Sequence, residues 1–290
     1  MQAIAAWFLA KPQNAVLGLA LTLLIPWLPP QLTSGVILAL LTVAQGPRLA
    51  VIQGLAAAGL MIAITLIFGL PVASIVALMV VAWLPVLMLA VLLVATRSLT
   101  LSVQVSVLLA IAGLLGFHLV VADPVAFWEP VLAAMAELAR QSGLELNTQL
   151  LSAELMTVSA TLAFWILPTS ATLLGYGLYR KLPGETADFG RFRDLNLGRV
   201  IAVALALVSV LAFAFGSTVL QGVSAVLFVA FCMQGLAIVH WLHARETLPV
   251  GAVIAIYILL PLLQVLLITV LAVLGYMDAW FEFRRRMKKE

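Results

Sequence analysis

The sequence predicts an all-α fold, a polytopic integral membrane bundle of about eight or nine hydrophobic helices. Three observations lead there. The 290 residues are 64% hydrophobic and only 9% charged, with a mean hydropathy of +1.20, whereas soluble domains carry about 25% charged residues. Whole stretches of twenty or more residues hold no charge, enough at ~1.5 Å per residue to cross a hydrocarbon core ~30 Å thick. These stretches are apolar on every side and rich in Leu, Ala and Val, unlike the alternating strands of a barrel. Helices are then the spanning form, because they bond every backbone group within the segment.

Apolar runs bounded by charge, Pro or Gly place the helices near 14–28, 31–45, 49–70, 72–96, 99–121, 153–179, 199–216, 218–243 and 250–276, in one membrane-embedded domain over 1–290. The first two runs are short for a bilayer and predict a tight hairpin at Pro29 and Pro30. Pro85 and Pro261 fall inside long runs and predict kinks. No basic n-region precedes the apolar residues of the N-terminus, so no cleaved signal peptide is expected. Between the fifth and sixth runs, Trp128, Val131, Leu132, Met135 and Leu138 recur at helical spacing opposite Glu129, Glu137 and Arg140, with Gly143 as a stop. This predicts an amphipathic helix near 124–142, lying on the membrane surface.

Charge orients the bundle. The formal charge is +3 and the pI about 9.3, but five of the fifteen Lys and Arg residues sit in the last seven positions. That distribution reads as topology, and no nucleic-acid partner is expected. Arg48, Arg97, the 180–199 loop (Arg180, Lys181, Arg191, Arg193, Arg199) and the 280–290 tail are expected in the cytoplasm of a bacterial inner membrane. The 122–153 connection, with Asp123, Glu129, Glu137 and Glu145 against Arg140 alone, is expected outside. A single crossing by 250–276 would then strand the basic tail outside. A re-entrant hairpin in that run, or a first or second run that does not cross, would resolve the conflict.

The chemistry is sparse. The middle of every run lacks Asp, Glu, Lys and Arg, which argues against a proton relay or a charge-lined channel. The richest polar face follows Glu154, Thr157, Thr161, Trp165, Thr169, Thr172 and Tyr176 at three- and four-residue steps, with Pro168 able to open the helix locally. Such a stripe either walls a ligand or spends its hydroxyls on its own backbone and on neighbouring helices. Thr157, Thr161, Trp165, Thr169 and Tyr176 are the candidate ligand residues, joined by Gln221 and Gln234 from the group Ser217, Gln221, Ser224 and Gln234. Gln53, Gln104 and Gln264 are lone polar residues in other runs. His240 and His243 have a spacing that could ligate a metal, but lack the H-E-x-x-H arrangement and read as interfacial, as does His118. The one cysteine, Cys232, allows no intrachain disulfide. No nucleophile with its base, phosphate loop or paired carboxylates stands in context, so no enzyme, catalytic residue, metal or cofactor is expected. The loop residues Phe189, Arg191, Phe192, Arg193, Asp194 and Arg199 interleave aromatic and charged side chains, either to dock a cytosolic partner or to anchor the next helix on lipid.

Three segments carry a resemblance: Asp188-Phe-Gly-Arg-Phe-Arg-Asp-Leu-Asn-Leu-Gly-Arg199, Gln234-Gly235, and Gly275-Tyr-Met-Asp-Ala-Trp-Phe-Glu-Phe-Arg-Arg-Arg286. On these the chain resembles the YybS-like family, bacterial membrane proteins with a domain of unknown function. That family is distantly similar to the membrane-embedded substrate-binding components of energy-coupling-factor vitamin transporters. The similarity implies a ligand pocket opening outward and an ATPase module supplied by other proteins. This chain differs in having more apolar runs than the usual six, and its Ala56-Ala-Ala58 stands in a sequence where Ala is common throughout. The expected function is a transport-related component binding a small uncharged or amphipathic solute within the bundle, surrounded by membrane lipids. The competing expectation is a non-transport scaffold recruiting a cytosolic or envelope partner.

Overall fold

The computed structural model describes residues 2–25, 27–143, 152–184 and 187–287. Among these residues every regular element is helical. The helices are α1 Gln2–Ala10, α2 Pro12–Leu23, α3 Val36–Gln45, α4 Pro47–Ile67, α5 Val72–Thr96, α6 Leu99–Val120, α7 Pro124–Gln141, α8 Ala153–Tyr179, α9 Gly198–Phe215, α10 Thr218–Ala244, α11 Val250–Leu259, α12 Gln264–Phe281 and α13 Phe283–Arg286. Seven of them are long and apolar enough to cross a membrane, or eight spans if the bent pair α1–α2 counts as one. Their outward faces carry bare apolar side chains such as Leu119 and Phe213, the surface a lipid-immersed bundle presents.

The chain divides into two compact units. The first comprises Met1–Ser106 and Trp165–Phe192, and the second Val107–Phe164 and Arg193–Glu290. Helices α6 and α8 each contribute one end to each unit.

In the first unit α2, α3, α4 and α5 enclose Leu19, Leu38, Leu41, Met61, Met79 and Trp83. The expected hairpin at Pro29 and Pro30 is there, but its return begins with a wide π turn, Gln31–Gly35. That turn seats Ser34 between two helices: its Oγ donates to the Leu19 carbonyl at 2.8 Å and accepts from Trp83 Nε1 at 2.7 Å. The run expected at 14–28 ends at Leu23, and an unforeseen helix precedes it, bent from α2 by 117°. The cause is Pro12, which cannot continue a helix begun upstream but serves well as the first residue of α2. Pro85 and Pro168 both lie within unbroken helices.

In the second unit α9 and α10 form a hairpin joined at Ser209 and Ser224, whose hydroxyls meet at 2.7 Å. Helix α12 packs on α10 at two glycines. A methyl group on Gly235 would strike the Leu271 backbone, and one on Gly275 would strike the Phe231 carbonyl. Helices without a hydrophobic drive between them gain most from such close approach.

The run expected at 250–276 as one kinked helix is two, α11 and α12, separated by residues 260–263 around Pro261. Proline removes a donor and clashes with the preceding turn, which here ends the helix instead of bending it. The tail then meets the segment that leads into α9. Arg284 Nη1 donates to the Arg193 carbonyl at 2.8 Å, and Arg245, at the end of α10, donates to the Met287 carbonyl at 2.8 Å. The path from α10 through α11 and α12 therefore leaves one end of the unit and returns to it, which removes the conflict that a single crossing raised.

The glycine contact predicts a sharp contrast. Gly235→Ala forces backbone apart and should cost about 1–3 kcal/mol. Gly251→Ala, with nothing within 4 Å of its added methyl, should change stability by no more than about 0.5 kcal/mol. Thermal unfolding of the two variants in detergent checks this; equal shifts would refute the packing account.

Candidate functional site

The polar stripe of α8 serves both units. In the second unit Thr157 is buried, donates to the Ala153 carbonyl at 2.9 Å and accepts from Trp128 Nε1 at 2.8 Å, which ties α7 to α8. Thr161 is half-buried and donates to the Thr157 carbonyl at 2.8 Å. Helix α7 itself buries no residue completely. It is capped by Asp123, whose Oδ1 accepts from Val125 and Ala126 N–H. The part of the 122–153 connection at 144–151, Glu145 included, lies outside the described residues.

In the first unit Trp165 is buried and donates to Ser106 Oγ at 2.9 Å, and Thr172 donates to the Pro168 carbonyl at 2.8 Å. Thr169 differs. It is 2% exposed, yet its hydroxyl has no hydrogen-bond partner among the described residues. It lines a small cavity with Leu89, Leu93, Leu99, Ser102, Val103, Thr172 and Leu173. The space, about 10 Å³, suits one water molecule and is far below the ~300 Å³ of an open ligand pocket.

Tyr176 is spent on the following loop. Its hydroxyl accepts from Phe189 N–H at 2.7 Å and donates to the Gly190 carbonyl at 3.0 Å, and its ring stacks on Phe189 at 5.6 Å. The Phe189 carbonyl accepts from Leu99 N–H at 2.7 Å. Asp188 accepts from Gly190 N–H at 3.0 Å, and this bond holds its carboxyl below the ordinary range. Its contribution to loop order is therefore full near neutral pH and fades only as pH falls through that lowered value. Of the loop residues expected to meet a partner, Arg191, Asp194 and Arg199 are exposed and Phe192 and Arg193 half-buried. Phe189 is buried beneath Tyr176 and not offered at the surface, because its ring completes the core with Val43, Leu93 and Leu99.

The best-defined polar cluster is one that sequence reading placed only in part. Gln234 is fully buried, and both ends of its amide are used: Oε1 accepts from Leu197 N–H at 2.8 Å, and Nε2 donates to Asp278 Oδ2 at 3.0 Å. The same carboxylate oxygen accepts from Arg284 Nη2 at 2.6 Å and Nε at 3.0 Å, and Nη2 reaches the Leu195 carbonyl at 2.7 Å. Asp278 was missed because the apolar run was ended at 276, whereas α12 continues to Phe281. A carboxylate at the end of an apolar run, six residues before the first residue of an arginine cluster, was the available signal. Gln221 stands apart, exposed near the start of α10.

The histidines have separate partners. His240 Nε2 meets Tyr257 Oη at 2.9 Å, His243 Nδ1 meets the Leu248 carbonyl at 2.9 Å, and His118 Nδ1 meets the Leu114 carbonyl at 2.9 Å. Among the described residues no three candidate metal ligands cluster.

Fold and sites together define a multi-pass α-helical membrane protein. Residues 127–279, more than half of the chain, match the family described as "Predicted membrane protein (DUF2232)", and the chain belongs to that family. The resemblance to YybS-like proteins is consistent with this membership. No curated protein and no solved structure matches the chain. The three segments that carry the resemblance converge in space, since Leu197, Gln234, Asp278 and Arg284 form one bonded network.

Removing one member of a buried ion pair leaves the other uncompensated. With side chains 9% and 2% exposed, Arg284→Gln or Asp278→Asn should each cost about 3–5 kcal/mol, and the double variant less than their sum. A double-mutant cycle of unfolding in detergent reads the coupling; strict additivity would show that the pair does not hold the tail.

Proposed function

We propose that this chain is a transport-related component of a bacterial cytoplasmic membrane, which holds a small uncharged or amphipathic solute in its first unit. The observation that carries the reading is Thr169, a buried hydroxyl without a partner beside a water-sized cavity. An unpaired buried polar group costs about 1–3 kcal/mol, while the neighbouring hydroxyls of Ser102 and Thr172 are bonded to their own helices. A solute donor or acceptor reaching Thr169 would recover that cost, once α5, α6 and α8 part to enlarge the space. The resemblance to YybS-like proteins implies the same role, by analogy with energy-coupling-factor components, and a cytosolic ATPase module is then the partner, with the 180–199 loop and tail on its side of the membrane. The 122–153 connection then faces outward.

Mass spectrometry of small molecules retained by the purified protein tests the proposal. Thr169→Val should lower retention about tenfold while leaving thermal stability unchanged or raised, since it deletes an unpaired hydroxyl. Trp165→Ala should instead lower stability by about 3–5 kcal/mol. No retained solute, or retention indifferent to Thr169→Val, would overturn the reading. Labelling of single cysteines at positions 199 and 286, in a Cys232→Ser background, should occur only from the cytoplasm; external labelling of either would overturn the orientation.

A second reading, a scaffold for a cytosolic partner, is favoured by the loop anchors. Tyr176 holds residues 189–190, and Gln234 holds Leu197, so the exposed Arg191 and Arg199 stand on backbone of fixed shape. Preserved cell growth on Thr169→Val with loss on Arg191→Ala would favour it.

A further inference from the structure

The buried network faces inward, and the same turn of chain presents an outward face that it does not use. Glu282 adopts a left-handed conformation, φ 51° and ψ 44°, which ends α12 and starts α13. The reversal sends Arg284 inward to Asp278 and leaves Arg285 and Arg286 exposed. Arg199 is drawn to the same place. Its Nη2 contacts Glu282 Oε1 at 3.2 Å, and Arg285 Nη1 contacts the other oxygen of that carboxylate at 2.8 Å. Arg245, with its guanidinium 4.9 Å from the Trp241 ring centre, joins them through the Met287 carbonyl. Beside these cations, Phe281 and Phe283 stack with centroids 5.6 Å apart, and both rings and Trp280 stay exposed.

Cations alone would suit any anion, and exposed rings alone any apolar surface. Their combination at the end of an apolar spanning helix fits a ligand that is anionic at one level and apolar at the next. That is a phospholipid at the edge of the bilayer, where aromatic rings settle at headgroup depth and arginines pair with phosphate. We propose that Arg199, Arg285 and Arg286, with Trp280 and the Phe281–Phe283 pair, form a binding site for anionic phospholipid headgroups, and that the Glu282 carboxylate between Arg199 and Arg285 competes for the place a lipid phosphate takes. An acidic protein segment would match the charges but leave three aromatic side chains without a partner.

The full chain, reconstituted in phosphatidylcholine nanodiscs with or without phosphatidylglycerol, tests this by native mass spectrometry of retained lipid. Each arginine near an anionic surface contributes about fivefold to such binding. The R199Q/R285Q/R286Q variant should therefore lose at least about tenfold of the preference for phosphatidylglycerol, while E282Q should increase it. Arg284 stays in all variants, and an unchanged unfolding temperature in phosphatidylcholine alone shows that the fold persists. If the triple variant unfolds, R286Q alone, which breaks no ion pair among the described residues, replaces it and should lose about fivefold. An unaltered lipid preference in a folded variant would overturn the proposal. So would displacement of the lipid by inorganic phosphate, which would mark a simple anion site, or by a soluble acidic peptide, which would mark a protein partner.

Discussion

The Asp278–Arg284 pair sets the shape of the second unit. Two charges taken from water cost several kcal/mol each, and their attraction offsets that cost only where the remaining hydrogen-bond capacity is also met. Here it is met. Arg284 spends its guanidinium on one carboxylate and two backbone carbonyls, and Asp278 takes a further donor from Gln234. The carbonyls belong to Arg193 and Leu195, so satisfying the arginine fixes the segment that leads into α9. Gln234 fixes the next step of that segment through Leu197. With the Arg199–Glu282 and Arg245–Met287 contacts, the pair holds the tail at the end where α9 begins.

Such a network is possible only because the helices beneath it come close. Gly235 and Gly275 let the backbones of α10 and α12 touch where any side chain would separate them, and Gln234 stands directly beside that contact. Moving the helices apart by a methyl group would lengthen the Gln234–Asp278 bond of 3.0 Å beyond hydrogen-bond range or force both side chains to shift. Packing and polar satisfaction are thus one constraint here, expressed in small residues on one side and in charged residues on the other.

The spanning helices were legible in the sequence because lipid allows little choice: a long uncharged run must satisfy its own backbone, and only a helix does so. The run at 218–243, for example, is seen as α10 within a residue at its C-terminal end. Where two solutions have similar local cost, the sequence alone did not decide. Pro261 could have kinked one helix or separated two, and the separation follows from where the tail is held, 23 residues further on at Arg284. The polar face of α8 was legible as a stripe, but its division between two units was not, because periodicity records direction around a helix and says nothing about which neighbours lie there. Asp278 escaped because charge was used to end a run, and a charge buried against a partner remote in sequence looks the same as one in water.

Satisfied and unsatisfied groups carry different information. Thr157, Trp165, Tyr176 and Gln234 each bond across to another helix or loop, which Val or Leu could not do, whereas Thr161 and Thr172 return their hydroxyls to their own helix. Thr169 is the exception on that face. Val at this position would fill nearly the same space without a buried unpaired hydroxyl, and would be the cheaper residue for a helix that only had to pack. Along the stripe from Thr157 to Tyr176, Thr169 is thus the residue whose hydroxyl is buried but pairs with nothing among the described residues.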